Sequence, residues 1–183
     1  MQNNNQHITK LLQRCKSGEQ SAQFEIYKLY YKAMYNTSLR ILNDSFEAED
    51  VMQESFLVAF TKLGTFKGEV TFGAWLKRIV INKSITQLRK NKKFDHVPLE
   101  VVAEQSDDDQ RNEEYSMINV KEIFGAINQL KDNYKVALTL NLIEGYDYEE
   151  ISDIMKISYQ NSRTMISRAK SKLRELLVVN YER

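Results

Sequence analysis

Asp50 and Glu54 stand one helical turn apart, with Glu47 a turn earlier, and are the first residues whose types and spacing could do chemistry. Such carboxylates could hold a cation or move a proton, but a zinc or acid–base constellation would also need histidine. The only two histidines, His7 and His96, are remote in the sequence. Gly64-Thr65-Phe66-Lys67-Gly68 looks superficially like a phosphate loop, yet it lacks the spacing and the terminal Gly-Lys-Ser/Thr. With Cys15 the one cysteine, no intrachain disulfide can form, and a reducing compartment, the cytoplasm, is expected. No catalytic residue, metal, cofactor or small-molecule substrate is therefore expected. The carboxylates are read as charge for docking a basic protein.

The other chemistry within reach is nucleic-acid binding. Lysines and arginines nearly balance acids overall, 26 against 25, for a net charge of +1, but the mean conceals the distribution. From Val70 to Phe94, Lys77, Arg78, Lys83, Arg89, Lys90, Lys92 and Lys93 give +7 with no acid. From Asp95 to Glu114 eight acids against Arg111 give −7, and from Ile154 to Arg174 six cations give +6. Two basic blocks flank an acidic one. The acidic block holds the only proline, Pro98, and no apolar residue from Gln105 to Asn112, which is the composition of a flexible linker. It is expected to screen the basic faces partly at low salt.

These blocks need elements to position them. Six glycines and one proline in 183 residues, with 42% hydrophobic residues, favour long helices over a sandwich or barrel. The segment from Met1 to His7 is polar, so neither a signal peptide nor a membrane anchor is expected. Ser17 and Asp44, each followed three residues on by Gln20 or Glu47, are expected to cap helices. After the first, Phe24, Tyr27, Tyr31, Met34, Tyr35, Leu39 and Leu42 form an apolar stripe expected to be core. In the helix from Ser45 to Leu63, Met52, Phe56, Ala59, Phe60 and Leu63 share the core face. Glu47, Asp50 and Glu54 lie opposite with Val51 and Val58 among them, a composition suited to a docking surface.

A helix expected from Thr71 carries the first basic block. Arg78, Asn82 and Arg89 project within about 40° of one another, with Trp75 and Thr86 alongside. Together with Phe66 and Phe72 of the preceding loop, this ridge offers stacking faces, amides and cations, which capture of unstacked bases requires. Trp75 taken alone reads as core.

Near the C-terminus, Asp147 caps a short helix with Ile151, Ile154 and Met155 inward, and Ser158 caps a second from Tyr159 to about Val178. This is helix-turn-helix spacing, in which the second helix enters the major groove. Met165, Ile166, Ala169, Leu173, Leu176 and Leu177 occupy one arc of it; Gln160, Arg163, Thr164, Ser167 and Ser171 lie opposite, bordered by Arg168, Lys170, Lys172 and Arg174. A small polar centre with cationic margins suits base reading flanked by phosphate clamping.

At these residues the chain resembles bacterial RNA polymerase sigma factors of the extracytoplasmic-function type, from about Ser17 to Leu177. Ala48-Glu49-Asp50, then Gln53-Glu54 and Phe56, resembles the family's polymerase-docking helix. Phe66-Lys67-Gly68 through Phe72, then Trp75-Leu76 and Asn82, resembles its promoter-opening segment, which captures a flipped base of the minus-ten element. Leu138 to Leu173, with Glu144-Gly145, Glu150-Ile151, Ile157-Ser158 and Arg168-Ala169, resembles its reader of the minus-thirty-five element. Thr86 stands where the family has an acidic residue, Ser162 where it has valine, and Met165 where it has arginine.

The resemblance implies an all-α fold: a region 2-like domain over 8–94, an acidic linker over 95–114, and a region 4-like helix-turn-helix domain over 115–181. It implies core polymerase and promoter DNA as partners, and an anti-sigma factor, with no direct membrane insertion. The residues expected to dock polymerase are Glu47, Asp50, Val51, Gln53, Glu54 and Val58. Those expected at the minus-ten element are Phe66, Lys67, Phe72, Trp75, Arg78, Asn82 and Arg89. Those expected at the minus-thirty-five element are Gln160, Arg163, Thr164, Ser167, Arg168, Lys170 and Lys172. The rivals are a two-lobed DNA-binding regulator that acts without polymerase and an adaptor that binds only protein.

Overall fold

The computed structural model describes residues 2–91 and 120–181. Among them are helices and turns with no strand: α1 (Gln2–Lys16), α2 (Gln20–Leu42), α3 (Ser45–Thr61), a 3-10 turn (Leu63–Thr65), α4 (Phe72–Lys90), α5 (Val120–Gln129), α6 (Asp132–Leu138), a π-helical turn (Thr139–Ile143), α7 (Tyr148–Met155) and α8 (Tyr159–Tyr181). The chain divides into two compact units between Lys90 and Asn91. The all-helical class agrees with the expectation. The acidic block over 95–114, with His96 and Pro98, lies outside the described residues, as do Lys92 and Lys93.

In the first unit α2 packs against α1, α3 and α4. Leu11, Ile26, Met34, Phe56, Leu63, Leu76 and Val80 form its core. Removing such side chains from water contributes roughly 1.5–3 kcal/mol each. The buried face of α2 includes Ala22, Thr37 and Ser38, and the expected stripe is only partly inward: Met34 and Leu42 are buried, but Phe24 is 57% exposed. Phe24 and Leu42 are about five turns apart and share one side of α2, so what differs is the cover along the helix: its C-terminal half is enclosed where α4 approaches closely. Ser38 Oγ lies 3.0 Å from Ser84 Oγ of α4, and a Cβ on Gly73 would come within 2.9 Å of the Tyr30 ring, so any larger residue there would have to displace that ring.

Asp44 caps α3 as expected, its Oδ1 accepting from the Glu47 N–H at 3.0 Å. Ser17 does not cap α2; its hydroxyl donates to the Arg14 carbonyl at 3.0 Å, and Glu19 occupies the N-cap position. Helix α1 was not anticipated from the sequence. Its signal is the helical spacing of Ile8, Leu11, Leu12 and Cys15, which pack onto the first core.

In the second unit α8 lies against α5, α6 and α7, around Ala126, Ile127, Leu130, Leu138, Ala169, Leu173 and Leu177. Helix α7 begins with a full capping box: Asp147 Oδ1 accepts from Glu150 N–H at 2.8 Å and Glu150 Oε2 accepts from Asp147 N–H at 3.0 Å. It ends at Lys156, whose φ of 59° reverses the chain into α8. This is the expected helix-turn-helix.

Candidate docking and nucleic-acid surfaces

Asp50, Gln53 and Glu54 are exposed on α3, and Glu47 and Val58 are half-buried. The expectation that Val51 stands among them is corrected: it is 5% exposed, because the covered arc of α3 widens to take in Val51 and Ser55. Ser55 satisfies its buried hydroxyl by donating to the Val51 carbonyl at 2.6 Å. The apolar residues that do face outward are ones the sequence reading passed over, Phe46 at 82% and Leu57 at 68% exposure. With Asp50 and Gln53 they follow i, i+4, i+7, i+11 spacing, so a full projection of α3 could have found them. Leu57 and Gln53 also border a groove shared with Phe24, Tyr27, Phe56 and Phe60. Asp50, Gln53 and Glu54 therefore sit on a mixed acidic and apolar face, which suits a basic, partly apolar protein.

On α4, Asn82, Thr86 and Arg89 are exposed and Trp75 and Arg78 half-buried, with Lys67 exposed in the preceding loop. Thr71 opens the helix, its hydroxyl accepting from the Ala74 N–H at 3.3 Å. Phe66, Phe72 and Trp75 interlock, with ring centroids 5.3 Å apart for Phe66 and Trp75 and 5.7 Å for Phe72 and Trp75. Phe72 is 3% exposed, which corrects its place among the base-contacting residues: it is the floor on which the other two rings rest. Half-buried Phe66 and Trp75 keep part of their surface open, the geometry of a stacking platform supported from beneath.

An ion pair joins the two surfaces. Lys83 Nζ of α4 donates to Glu54 Oε2 of α3 at 2.7 Å. That hydrogen bond and the charge of Lys83, with a smaller contribution from Lys90, hold the Glu54 carboxyl below the usual carboxylate range.

On α8 the inward arc is as expected: Met165, Ile166, Ala169, Leu173 and Leu177 are buried. Gln160, Arg163 and Lys172 are exposed, and Thr164, Ser167, Arg168 and Lys170 half-buried, all on the outer side. Ser158 Oγ accepts from the Asn161 N–H at 3.2 Å and caps the helix. Lys172 is ion-paired with Glu175, one turn on. Met165 packs inward at 8% exposure, so the position contributes contact area and no charge. Ser162 is fully buried and hydrogen-bonded, which is how this core accepts a hydroxyl.

Among the described residues no three histidine, cysteine, aspartate or glutamate side chains cluster so as to hold a metal ion, and no helix is long and apolar enough to cross a membrane.

Comparison with known proteins points the same way. Residues 26–94 match Sigma-70 region 2, and residues 121–173 match Sigma-70, region 4. The RNA polymerase sigma-H factor of Pseudomonas aeruginosa is 30% identical over 182 residues, covering 92% of each chain. The ECF RNA polymerase sigma factor SigM of Bacillus subtilis is 29% identical over 153 residues, 83% of this chain and 93% of its own. Among solved structures, the sigma factor RpoE of Bartonella quintana, crystallised with the anti-sigma factor NepR, superposes with a TM-score of 0.58 at 25% identity, covering 85% of this chain and 96% of its own.

Proposed function

The chain belongs to the ECF RNA polymerase sigma factors of the sigma-70 family, and from that premise we propose which of its surfaces does what. As a sigma factor it binds core RNA polymerase and directs promoter-specific initiation, which leaves the polymerase-independent regulator unfavoured. We assign polymerase docking and the minus-ten element to 8–94, tethering to 95–114, and the minus-thirty-five element to 115–181.

The α3 face of Glu47, Asp50, Gln53, Glu54 and Val58 docks a basic polymerase surface, with Phe46 and Leu57 adding apolar contact area. On α4, Phe66 and Trp75 stack unpaired bases of the minus-ten element, Asn82 hydrogen-bonds a base edge, and Lys67, Arg78 and Arg89 meet phosphate. Helix α8 lies in the major groove of the minus-thirty-five element: Gln160, Thr164 and Ser167 face base edges, while Arg163, Arg168, Lys170 and Lys172 clamp the backbone. The chain supplies binding energy and no bond chemistry, which stays with the polymerase. It works in the cytoplasm, where both partners are. Because the Bartonella quintana relative is held by an anti-sigma factor, a protein antagonist of the same kind is proposed here.

The observation that carries this reading is that one unit presents an acidic, apolar helix face beside a basic, aromatic one, while the other presents a helix whose outer face has no acid between Gln160 and Arg174. The test is run-off transcription by purified core polymerase, with and without the chain, on a library of promoter fragments. A promoter-dependent transcript that appears only with the chain, and is lost with Asp50→Lys together with polymerase capture, is the expected result. No transcript, with capture unaffected by Asp50→Lys, removes the assignment of α3.

A further inference from the structure

Lys83 belongs to none of the surfaces assigned above, yet its ion pair with Glu54 joins two of them. It follows Asn82 on α4 and stands at the edge of the exposed ridge, its side chain 31% exposed and its Nζ 2.7 Å from Glu54 Oε2 on α3. Glu54 is 64% exposed at its side chain, so a partner docking on α3 can reach it. Lys90, two turns after Lys83 on the same edge of α4, also acts on Glu54 electrostatically.

We propose that Lys83 is a further phosphate-binding residue of the minus-ten surface, held in reserve by Glu54 and released when polymerase takes the Glu54 carboxylate. The inference rests on the reading of α3 as the docking face and of α4 as the strand-binding face. Three physical points carry it. A solvent-exposed ion pair is weak, so a basic partner that presents its own cation to Glu54 can displace Lys83. Once displaced, Lys83 is an uncompensated cation beside Asn82, and the strand on that ridge is the polyanion within its reach. The exchange is local and requires no movement of α3 against α4, whose packing is a rigid core. Docking on one helix thus raises the charge offered to DNA by the next, and the free chain holds single strands less tightly than the polymerase-bound chain.

The test is a double-mutant cycle on the full chain, measuring anisotropy of a fluorescein-labelled oligo(dT) strand across a salt series. Glu54→Gln is expected to tighten binding about two- to fivefold at low salt, as expected for release of one exposed ion pair. It should also steepen the salt dependence by about 0.7, one further single-strand phosphate contact. In a Lys83→Gln background the same change should do neither. Glu49→Gln, which removes an acid bonded to Gln53 at 3.2 Å instead of to Lys83, serves as the control for net charge alone. If Glu54→Gln and Glu49→Gln act equally, or if the gain survives in the Lys83→Gln background, the proposal is overturned. Capture of core polymerase by the Glu54→Gln chain is scored separately. Undiminished capture removes the docking role of Glu54, and with it the release step, while the cycle still decides whether Lys83 binds phosphate.

Discussion

Ser162 Oγ lies 2.7 Å from the carbonyl oxygen of Tyr148, a partly buried hydrogen bond that joins the first turn of α8 to the first turn of α7 across fourteen residues. The Tyr159 carbonyl shares the same hydroxyl at 2.8 Å, and the rings of Tyr148 and Tyr159 meet edge to face at 6.5 Å on the same junction. The crossing of α8 with α7 is therefore pinned by polar and aromatic contacts together.

Ser162→Ala should destabilise the second unit by about 1 kcal/mol, the net worth of one intramolecular hydrogen bond. Urea unfolding followed by circular dichroism measures it. An unchanged midpoint would mean that the aromatic contact alone sets the crossing.

Lys156, at φ 59°, occupies a backbone region that costs a side-chain-bearing residue roughly 1 kcal/mol. Lys156→Gly should therefore raise the melting temperature of the chain, by a few degrees after allowing for the added entropy of glycine in the unfolded state. A lower melting temperature would count against strain in this turn.

Phe66 and Phe72 are neighbours with opposite expected phenotypes. Phe66→Ala should leave the fold intact and weaken single-strand binding by about 1–3 kcal/mol, the range for loss of one stacked base. Phe72→Ala should destabilise the first unit by about 3–5 kcal/mol, because it empties a site in the core. Paired melting and anisotropy measurements on both variants separate the two roles.

On α8, changing Thr164 or Ser167 should alter base preference in a randomised minus-thirty-five library. Lys170→Ala should weaken all sequences alike and lower the salt slope by about 0.9. Lys172→Ala should do the same to a smaller degree, since Lys172 is shared with Glu175. Equal loss of preference from Lys170→Ala would reassign it to base reading.

Acid should act through the junction of α1 and α2. There the Arg14 guanidinium, with the Ser21 hydroxyl, pushes the Glu19 carboxyl down to about 2. A carboxylate whose pKa is lowered by folding adds stability above its unfolded pKa of about 4.3, and that stability is lost as pH falls toward about 2. The melting temperatures of the wild-type and Glu19→Gln chains should thus differ at pH 6 and converge near pH 2. A gap that widens on acidification would have the wrong sign.

Several helices were legible because each signal is local: the Asp44 and Asp147 caps act three residues on, and the apolar arc from Met165 to Leu177 lies within one helix, whereas α1 was not anticipated. The charge blocks were legible too, since a run of like charges cannot be buried whatever the fold. The sequence by itself thus determined an all-helical chain with a helix-turn-helix, an acidic helix and two basic ones. Tertiary structure decided which part of each apolar arc is covered. Val51 and Phe72 are inside and Phe24, Phe46 and Leu57 outside, because cover depends on where along each helix a neighbour lies as well as on the angle a residue takes. The same packing made a pair of Lys83 and Glu54, separated by 29 residues. A helical projection gives the angles within one helix, and only packing between helices says which angles face a neighbour.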